Sequence, residues 1–268
     1  QSLIPEINQQ YSELKKTYVE KKLDMPKEIE EYYKSGGFAF TIRRETRDSY
    51  SKLMALIDRV IKTDLPAFRN FESANLSRVF RLLGLLALKK SGEISHTKLA
   101  KALEISPDTM NILLETLEKT QIIFSIKPLH SSQGVKSWAG SPWKYYFLTP
   151  TLTYALRYTL GKTTMDSETM GLLRENLVGA TFFRLTKTIS RQISIFYDRQ
   201  DEGVDFLLQN DATGQIIPVE VGLNKEKGQV EQAIKRFESS YGILIADFDN
   251  IFIQDKVIHI PFSTFIFA

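Results

Sequence analysis

The chain has 268 residues, with 35 Lys/Arg against 32 Asp/Glu and a formal net charge of +3, a surplus too small to argue for a polyanionic partner by itself. Hydrophobic residues make up 43% and charged residues 25%, a globular composition that excludes a disordered or fibrous chain. Cysteine is absent, which excludes disulfides and thiolate metal sites and makes a reducing, cytoplasmic setting the expectation. No apolar run approaches the roughly eighteen residues needed to cross a bilayer. The opening Gln1-Ser-Leu-Ile-Pro-Glu6 has neither the basic start nor the apolar core of a signal peptide. A chain opening on Gln in helix-like text is expected to be part of something longer.

Residues 1–72 read as helical. Gln9 to Leu23 is a Lys/Glu-rich helix, Pro26 opens a second one through Ile29 to Lys34, and Gly36-Gly37 ends it. A third helix is expected from about Asp48 to Thr63, with Leu53, Leu56, Ile57, Val60 and Ile61 at helical spacing, before Asp64-Leu-Pro66 breaks it.

Residues 73–160 show a different order of elements. Val79, Leu82, Leu83, Leu86 and Ala87 form the apolar stripe of one helix, and Leu99, Ala100 and Leu103 that of a short second. Ser106-Pro107 then pairs a capping hydroxyl with a proline at the first helical turn. The third helix runs on through Met110, Leu113, Leu114 and Leu117. A strand (Ile122 to Ile126), a Ser/Gly/Pro-rich loop and the aromatic strand Tyr145-Tyr-Phe-Leu148 complete a winged helix-turn-helix pattern.

This middle region carries the basic charge: residues 76–148 hold 10 Lys/Arg against 5 Asp/Glu, so a polyanion would meet it first. The expected nucleic-acid contacts are Asn111 and Lys119 on the third helix, and Lys127, Lys136, Trp138 and Lys144 around the wing. The third helix otherwise offers Asp108, Glu115 and Glu118, so non-specific backbone contact is favoured over base readout. The alternative is a winged helix that packs against protein, with Trp138 and Trp143 as anchors.

Residues 161–268 alternate helix and strand. A helix from Ser167 to Thr186 precedes strands at 193–197, 204–209 and 216–221, a helix from Glu226 to Phe237, and strands near 241–246, 251–254 and 257–260, giving a mixed central sheet. Asp205 lies in one strand, and Glu220 lies in the next, on the face opposite Ile217, Val219 and Val221. Glu175 sits on the long helix with Leu172, Val178 and Gly179 as its neighbours three and four positions away, an apolar setting in which a carboxylate needs a partner or a metal. An acid on one strand, followed by an acid and a lysine two residues apart on the next, is the pattern of metal-dependent nucleases. Here the lysine position is Gly222.

Glu175-Asn-Leu-Val, Val204-Asp-Phe, Pro218-Val-Glu-Val, Gln229-Val and Ala233-Ile-Lys-Arg-Phe237 resemble the C-terminal domain of unknown function that closes many archaeal and bacterial AAA-type ATPases. That domain is similar to the restriction-endonuclease-like fold. The resemblance reaches back through Trp143-Lys-Tyr-Tyr-Phe-Leu-Thr-Pro150 to Ile57-Asp-Arg-Val-Ile-Lys-Thr-Asp-Leu-Pro66 and Glu31-Tyr-Tyr-Lys-Ser-Gly-Gly-Phe38. It implies an α+β, multidomain chain whose partner is an ATPase module. It also implies an acid trio, Glu175, Asp205 and Glu220, holding Mg²⁺ or Mn²⁺ through oxygen ligands. Gln229 would orient a ligand, and Lys225 or Lys227 would have to replace the missing amine. Gly161-Lys-Thr-Thr164 is not a phosphate loop, because Leu156 stands where its first glycine belongs.

The expectations are therefore a helical segment (1–72), a winged helix (73–160) and a nuclease-like α/β part (161–268). The favoured function is a non-catalytic nucleic-acid- or partner-binding portion of an AAA-type ATPase, with homo-oligomerisation open and no membrane span. The alternative is a Mg/Mn-dependent nuclease. His96, His130 and His259 are far apart in the sequence and carry no expected catalytic or zinc role.

Overall fold

The structure, a computed structural model, describes residues 4–42, 46–64, 73–89, 93–129, 142–188, 192–223 and 226–266. Among them are ten α-helices and eight strands, a mixed α/β chain. Its contacts divide it into two compact units, residues 32–128 with 137–184, and residues 1–31 with 129–136 and 185–268. The partition falls after residue 31 and within the long helix at 184.

In the first unit, α3 (Thr46–Arg59) carries Leu53 and Ile57 inward, and a π-helical turn, Val60–Asp64, buries Ile61. The α4 helix (Ser73–Leu88) buries Val79, Leu82, Leu83 and Ala87 along the stripe read from sequence. The α5 helix (His96–Leu103) is capped by Ser95, whose hydroxyl accepts from the Lys98 amide at 3.4 Å, and it ends at Glu104 in the left-handed region, φ 56°. After Glu104-Ile-Ser106, the Ser106 hydroxyl caps α6 (Pro107–Lys119) by accepting from the Thr109 amide at 3.1 Å. The antiparallel pair β1 (Ile123–Leu129) and β2 (Lys144–Phe147) aligns Ile123 with Phe147 and Ile126 with Lys144. The helix, helix, turn, helix and two-stranded wing expected from sequence are all present.

Sequence reading misses α7 (Pro150–Thr159), whose residues from Pro150 to Leu156 are all buried. Its start signal repeats the one at Ser106-Pro107: the Thr149 hydroxyl accepts from the Thr151 amide, with Pro150 in the first turn. The apolar run Leu152-Thr-Tyr-Ala-Leu156 lacks a clean helical stripe because the helix is buried on several sides. Tyr154 and Tyr158 pack edge-on against Tyr50 at 6.0 and 4.9 Å. The α8 helix (Ser167–Thr188) is likewise enclosed, with every residue from Leu173 to Ala180 buried.

The second unit holds a six-stranded mixed sheet in the order β3 (Ile193–Asp198), β4 (Phe206–Asn210), β5 (Ile216–Val221), β6 (Gly242–Ala246), β8 (Val257–Pro261), β7 (Phe252–Gln254). The β3–β4–β5 ladders and the β7–β8 ladder are antiparallel, whereas β5–β6 and β6–β8 are parallel. The helix α9 (Gly228–Arg236) supplies the β5–β6 crossover and buries Val230, Ala233 and Ile234 in a core with Val204, Leu207 and Leu244. The short α10 (Phe262–Phe265) closes the chain with Phe262 buried.

The N-terminal helices α1 (Ile4–Glu20) and α2 (Met25–Glu31) belong to this second unit. The Asn8 side-chain amide both donates to the Ile251 carbonyl and accepts from the Ile251 amide, each at 2.9 Å, as a neighbouring strand would. Nothing local in the sequence of α1 announces that partner, 243 residues away.

Candidate functional site

Two places concentrate chemistry in the described residues: the β4/β5 acids and the polar, aromatic side of the winged helix. Phe206 pairs with Val219 in the antiparallel ladder, and Asp205 sits just before β4, so its register position is opposite Glu220. The Val221 amide donates to Asp205 Oδ2 at 3.0 Å, and the Asp205 amide donates to Glu220 Oε2 at 3.1 Å. Each carboxylate therefore holds the backbone of the other's strand. Glu220 is 1% exposed, and the Asp205 amide meets its carboxylate there. Gly222 donates its amide to the Ile245 carbonyl at 3.1 Å and continues the ladder toward β6. Lys227 is engaged elsewhere, with Asp255 and with Glu231, the latter at 3.2 Å. The Asp255 hydrogen bond, more than any other contact, raises its pKa above the ordinary lysine value. Lys225 lies outside the described residues.

Glu175 is in the other compact unit. Its Oε1 accepts from the Tyr146 hydroxyl at 2.5 Å and from the Lys144 ammonium at 3.1 Å. The side chains of this pair are only 12% (Lys144) and 6% (Glu175) exposed. The adjacent Asn176 accepts from the Thr153 hydroxyl and donates to the Phe147 carbonyl. Glu175-Asn176 thus ties α8 to β2 and α7 through hydrogen bonds, a structural use for a phrase that reads as catalytic in the sequence. Among the described residues, no group of three or more His, Asp or Glu side chains is placed to hold a metal ion.

The winged-helix side is organised by His96, to which sequence reading assigns no role. Its Nδ1 meets Asn111 Oδ1 and its Nε2 meets the Tyr145 hydroxyl, both at 2.7 Å. Burial pushes the Tyr145 phenol well above its ordinary pKa, with Glu118 and Glu115 adding to the rise. The phenol therefore stays protonated and can donate to Nε2, which leaves an Nδ1–H to donate to Asn111. Trp143 packs edge-on to His96 at 5.4 Å and near-parallel to Tyr145 at 6.3 Å. Lys127 lies 4.8 Å above the Trp143 ring. Ile94 and Trp143 exchange backbone hydrogen bonds at 2.8 and 3.2 Å, which ties the entry of α5 to the wing.

Of the expected contacts, Lys119 and Lys127 are exposed and Asn111 is exposed but engaged by His96. Lys144 is committed to Glu175. Lys136 and Trp138 lie outside the described residues, as does His130. The sequence signal for His96 is its place directly after the capping Ser95, where a side chain at the start of α5 can reach α6.

Residues 26–165 match the family described as "Domain of unknown function (DUF8612)". The chain belongs to that family. The matched segment runs from α2 through α7 and includes the whole winged helix, while Asp205 and Glu220 lie beyond it. The chain is also similar to "Uncharacterized protein MJ1637" of Methanocaldococcus jannaschii, at 28% identity over 243 residues, which is 90% of this chain and 50% of the relative. The chain thus spans about half the length of the curated relative it matches. Neither the family description nor the relative's name assigns an ATPase or a nuclease. Two solved structures of mutant forms of MepR from S. aureus, one from a multidrug-resistant clinical isolate and one bound to an oligodeoxyribonucleotide, share 20% and 19% identity over 53% of this chain and 96% of their own. Their TM-scores of 0.24 and 0.23 are too low to bear on fold or function. No helix among the described residues is long and apolar enough to cross a membrane.

Proposed function

We propose that this chain is a non-catalytic, nucleic-acid-binding part of a longer protein, contacting the phosphate backbone through its winged helix. The observation that carries the reading is the wing edge, where Lys127 stands over Trp143 beside His96 and the exposed end of Asn111. Exposed Lys98, Lys101 and Lys119 add cations on α5 and α6. Lysines of this kind release counterions from any duplex without reading sequence. Base readout is disfavoured because Asn111, the side-chain amide on α6, is held by His96, and because Asp108, Glu115 and Glu118 share that helix. The remainder of the longer protein would be the AAA-type ATPase module that the sequence resemblance implies, and this chain would deliver that motor to its target.

The test is fluorescence anisotropy with labelled duplex DNA, single-stranded DNA and RNA across a salt series. With about four phosphates neutralised, log K falls against log salt with a slope of about −3.6 for a duplex. Lys127→Ala is expected to reduce the slope by about one and to weaken all sequences alike. Salt-independent binding, or no binding at low salt, would sink the proposal.

The second reading is the metal-dependent nuclease, favoured by the opposed positions of Asp205 and Glu220. Cleavage of supercoiled DNA with Mg²⁺ or Mn²⁺, lost in an Asp205→Asn/Glu220→Gln variant that still binds DNA, would establish it. Equal behaviour of the two proteins would retire it.

A further inference from the structure

The unit that holds the winged helix contains a pocket of about 300 Å³ lined by none of the side chains discussed above as sites. This volume lies at the lower end of small-ligand pockets, roughly 300–1,000 Å³, and suits a single ring or a short chain. Phe38, Leu56, Ile57, Val60, Ile122 and Leu152 supply its apolar walls. Ile57 and Leu152 are buried while Leu56 is 44% exposed, so the pocket runs from the core to water and an apolar guest would dry its walls. Among the described residues of the lining there is no Asp, Glu or Lys. Arg184 is already partnered there, in part by Thr181 Oγ1, to which its Nη2 donates at 3.2 Å. An anion seeking that guanidinium would have to compete with its present contacts, whereas an uncharged guest leaves them in place. For a polar head the lining offers the exposed Gln121 amide, which can both donate and accept.

Backbone irregularities gather at the same pocket. The π-helical turn Tyr32–Gly36 leads directly into Gly37 and Phe38, and Val60 begins the second π-helical turn. Single π-helical turns are rare and are found frequently at functional sites. A Cβ on Gly37 would collide with Thr149 Oγ1, and the Gly37 amide donates to Thr151 Oγ1 at 2.9 Å. Only glycine lets that turn lie so close to the start of α7. Gln121 holds the left-handed region at φ 58°, a conformation costly for a side chain of its kind and one that clusters at ligand sites. It belongs to the short link Thr120–Ile122 between α6 and β1, so whatever fills the pocket touches the joint between the third helix and the wing.

We propose that this pocket binds a small uncharged amphiphile, an apolar ring or chain bearing one hydroxyl, with the apolar walls holding the body and the Gln121 amide holding the head. The site stands independently of the nucleic-acid reading. The test is an NMR titration of the full chain, following side-chain methyl resonances, with p-cresol, toluene and the anion p-toluate. The p-cresol hydroxyl is neutral at pH 7, since a phenol of this kind ionises near about 10. Saturable 1:1 binding of p-cresol is expected, about fivefold tighter than toluene, the range of one neutral hydrogen bond. Binding of p-toluate is expected to be weaker than that of p-cresol. Gln121→Gly removes the amide and suits the left-handed backbone, and it is expected to bring p-cresol down to the level of toluene. Leu56→Trp is expected to block both neutral compounds. If Leu56→Trp fails to fold by circular dichroism, the loss of preference in Gln121→Gly decides alone. Equal binding of p-cresol and toluene, tighter binding of p-toluate, an unchanged preference in Gln121→Gly, or no saturable shift up to about 10 mM, beyond the millimolar range of weak specific ligands, would overturn the assignment.

Discussion

Glu175 and Lys144 form an ion pair with little water around it, and Tyr146 supplies a second donor to the same oxygen. Breaking a buried pair from one side leaves the other charge in a medium that solvates it poorly. Glu175→Ala is therefore expected to cost about 3–5 kcal/mol in urea unfolding, and Glu175→Gln less, because an amide still accepts from Tyr146. A cost below about 1 kcal/mol, the range of exposed pairs, would mean that the pair is not structural. His259 is 4% exposed and stacks on Phe252 at 4.2 Å. Burial pushes its pKa below the ordinary imidazole value, the Lys227 cation pushes the same way, and the Val257 and Phe252 backbone hydrogen bonds oppose them. In the unfolded chain His259 protonates near about 6.5, while the folded chain resists the proton until lower pH. Its contribution is whole above about pH 6.5 and is lost as pH falls through the lowered folded value. Unfolding free energy is expected to drop between about pH 7 and pH 5, and His259→Phe should flatten that drop.

At the scale of elements, the same capping chemistry starts two helices of opposite legibility. Ser106-Pro107 and Thr149-Pro150 each place a hydroxyl and then a proline at a helix start. The first is legible because Met110, Leu113, Leu114 and Leu117 follow it in a one-sided stripe. The second is not, because α7 is buried on several sides and its apolar residues run together. Ser106→Ala is expected to cost about 1 kcal/mol by urea unfolding, with faster amide exchange confined to the first turn of α6. The β4 strand begins at Phe206 rather than at 204, because Asp205 turns its carboxylate back to the Val221 amide at the strand's end. Sequence alternation locates the acids, but it carries no sign that each clasps the neighbouring strand's backbone.

At the scale of the molecule, the three acids expected to form one site belong to two contact units, Glu175 to one and Asp205 and Glu220 to the other. The N-terminal helices join the α/β unit, where Asn8 holds the Ile251 backbone just before the edge strand β7. An edge strand left open invites pairing with another chain. A chain lacking residues 1–31 is expected to show faster hydrogen exchange at 251–260 and to aggregate at lower concentration, with α5 and α6 amides unchanged by mass spectrometry. Unaltered exchange at 251–260 would show that α1 does not guard that edge.

The sequence by itself determined the order of elements in the winged helix, the basic balance of that region, and the succession of the strands that Asp205 precedes and Glu220 occupies. These depend on local rules: helical period, strand alternation, and capping at Ser106. Only the tertiary structure decided what those residues meet. It gave Lys144 and Tyr146 to Glu175, Asn111 to His96, and Asn8 to Ile251, pairings separated by 31, 29, 15 and 243 positions. Hydrogen-bond partners at such separations are set by the packing of whole elements, and a side chain's period along its own helix or strand carries no record of them.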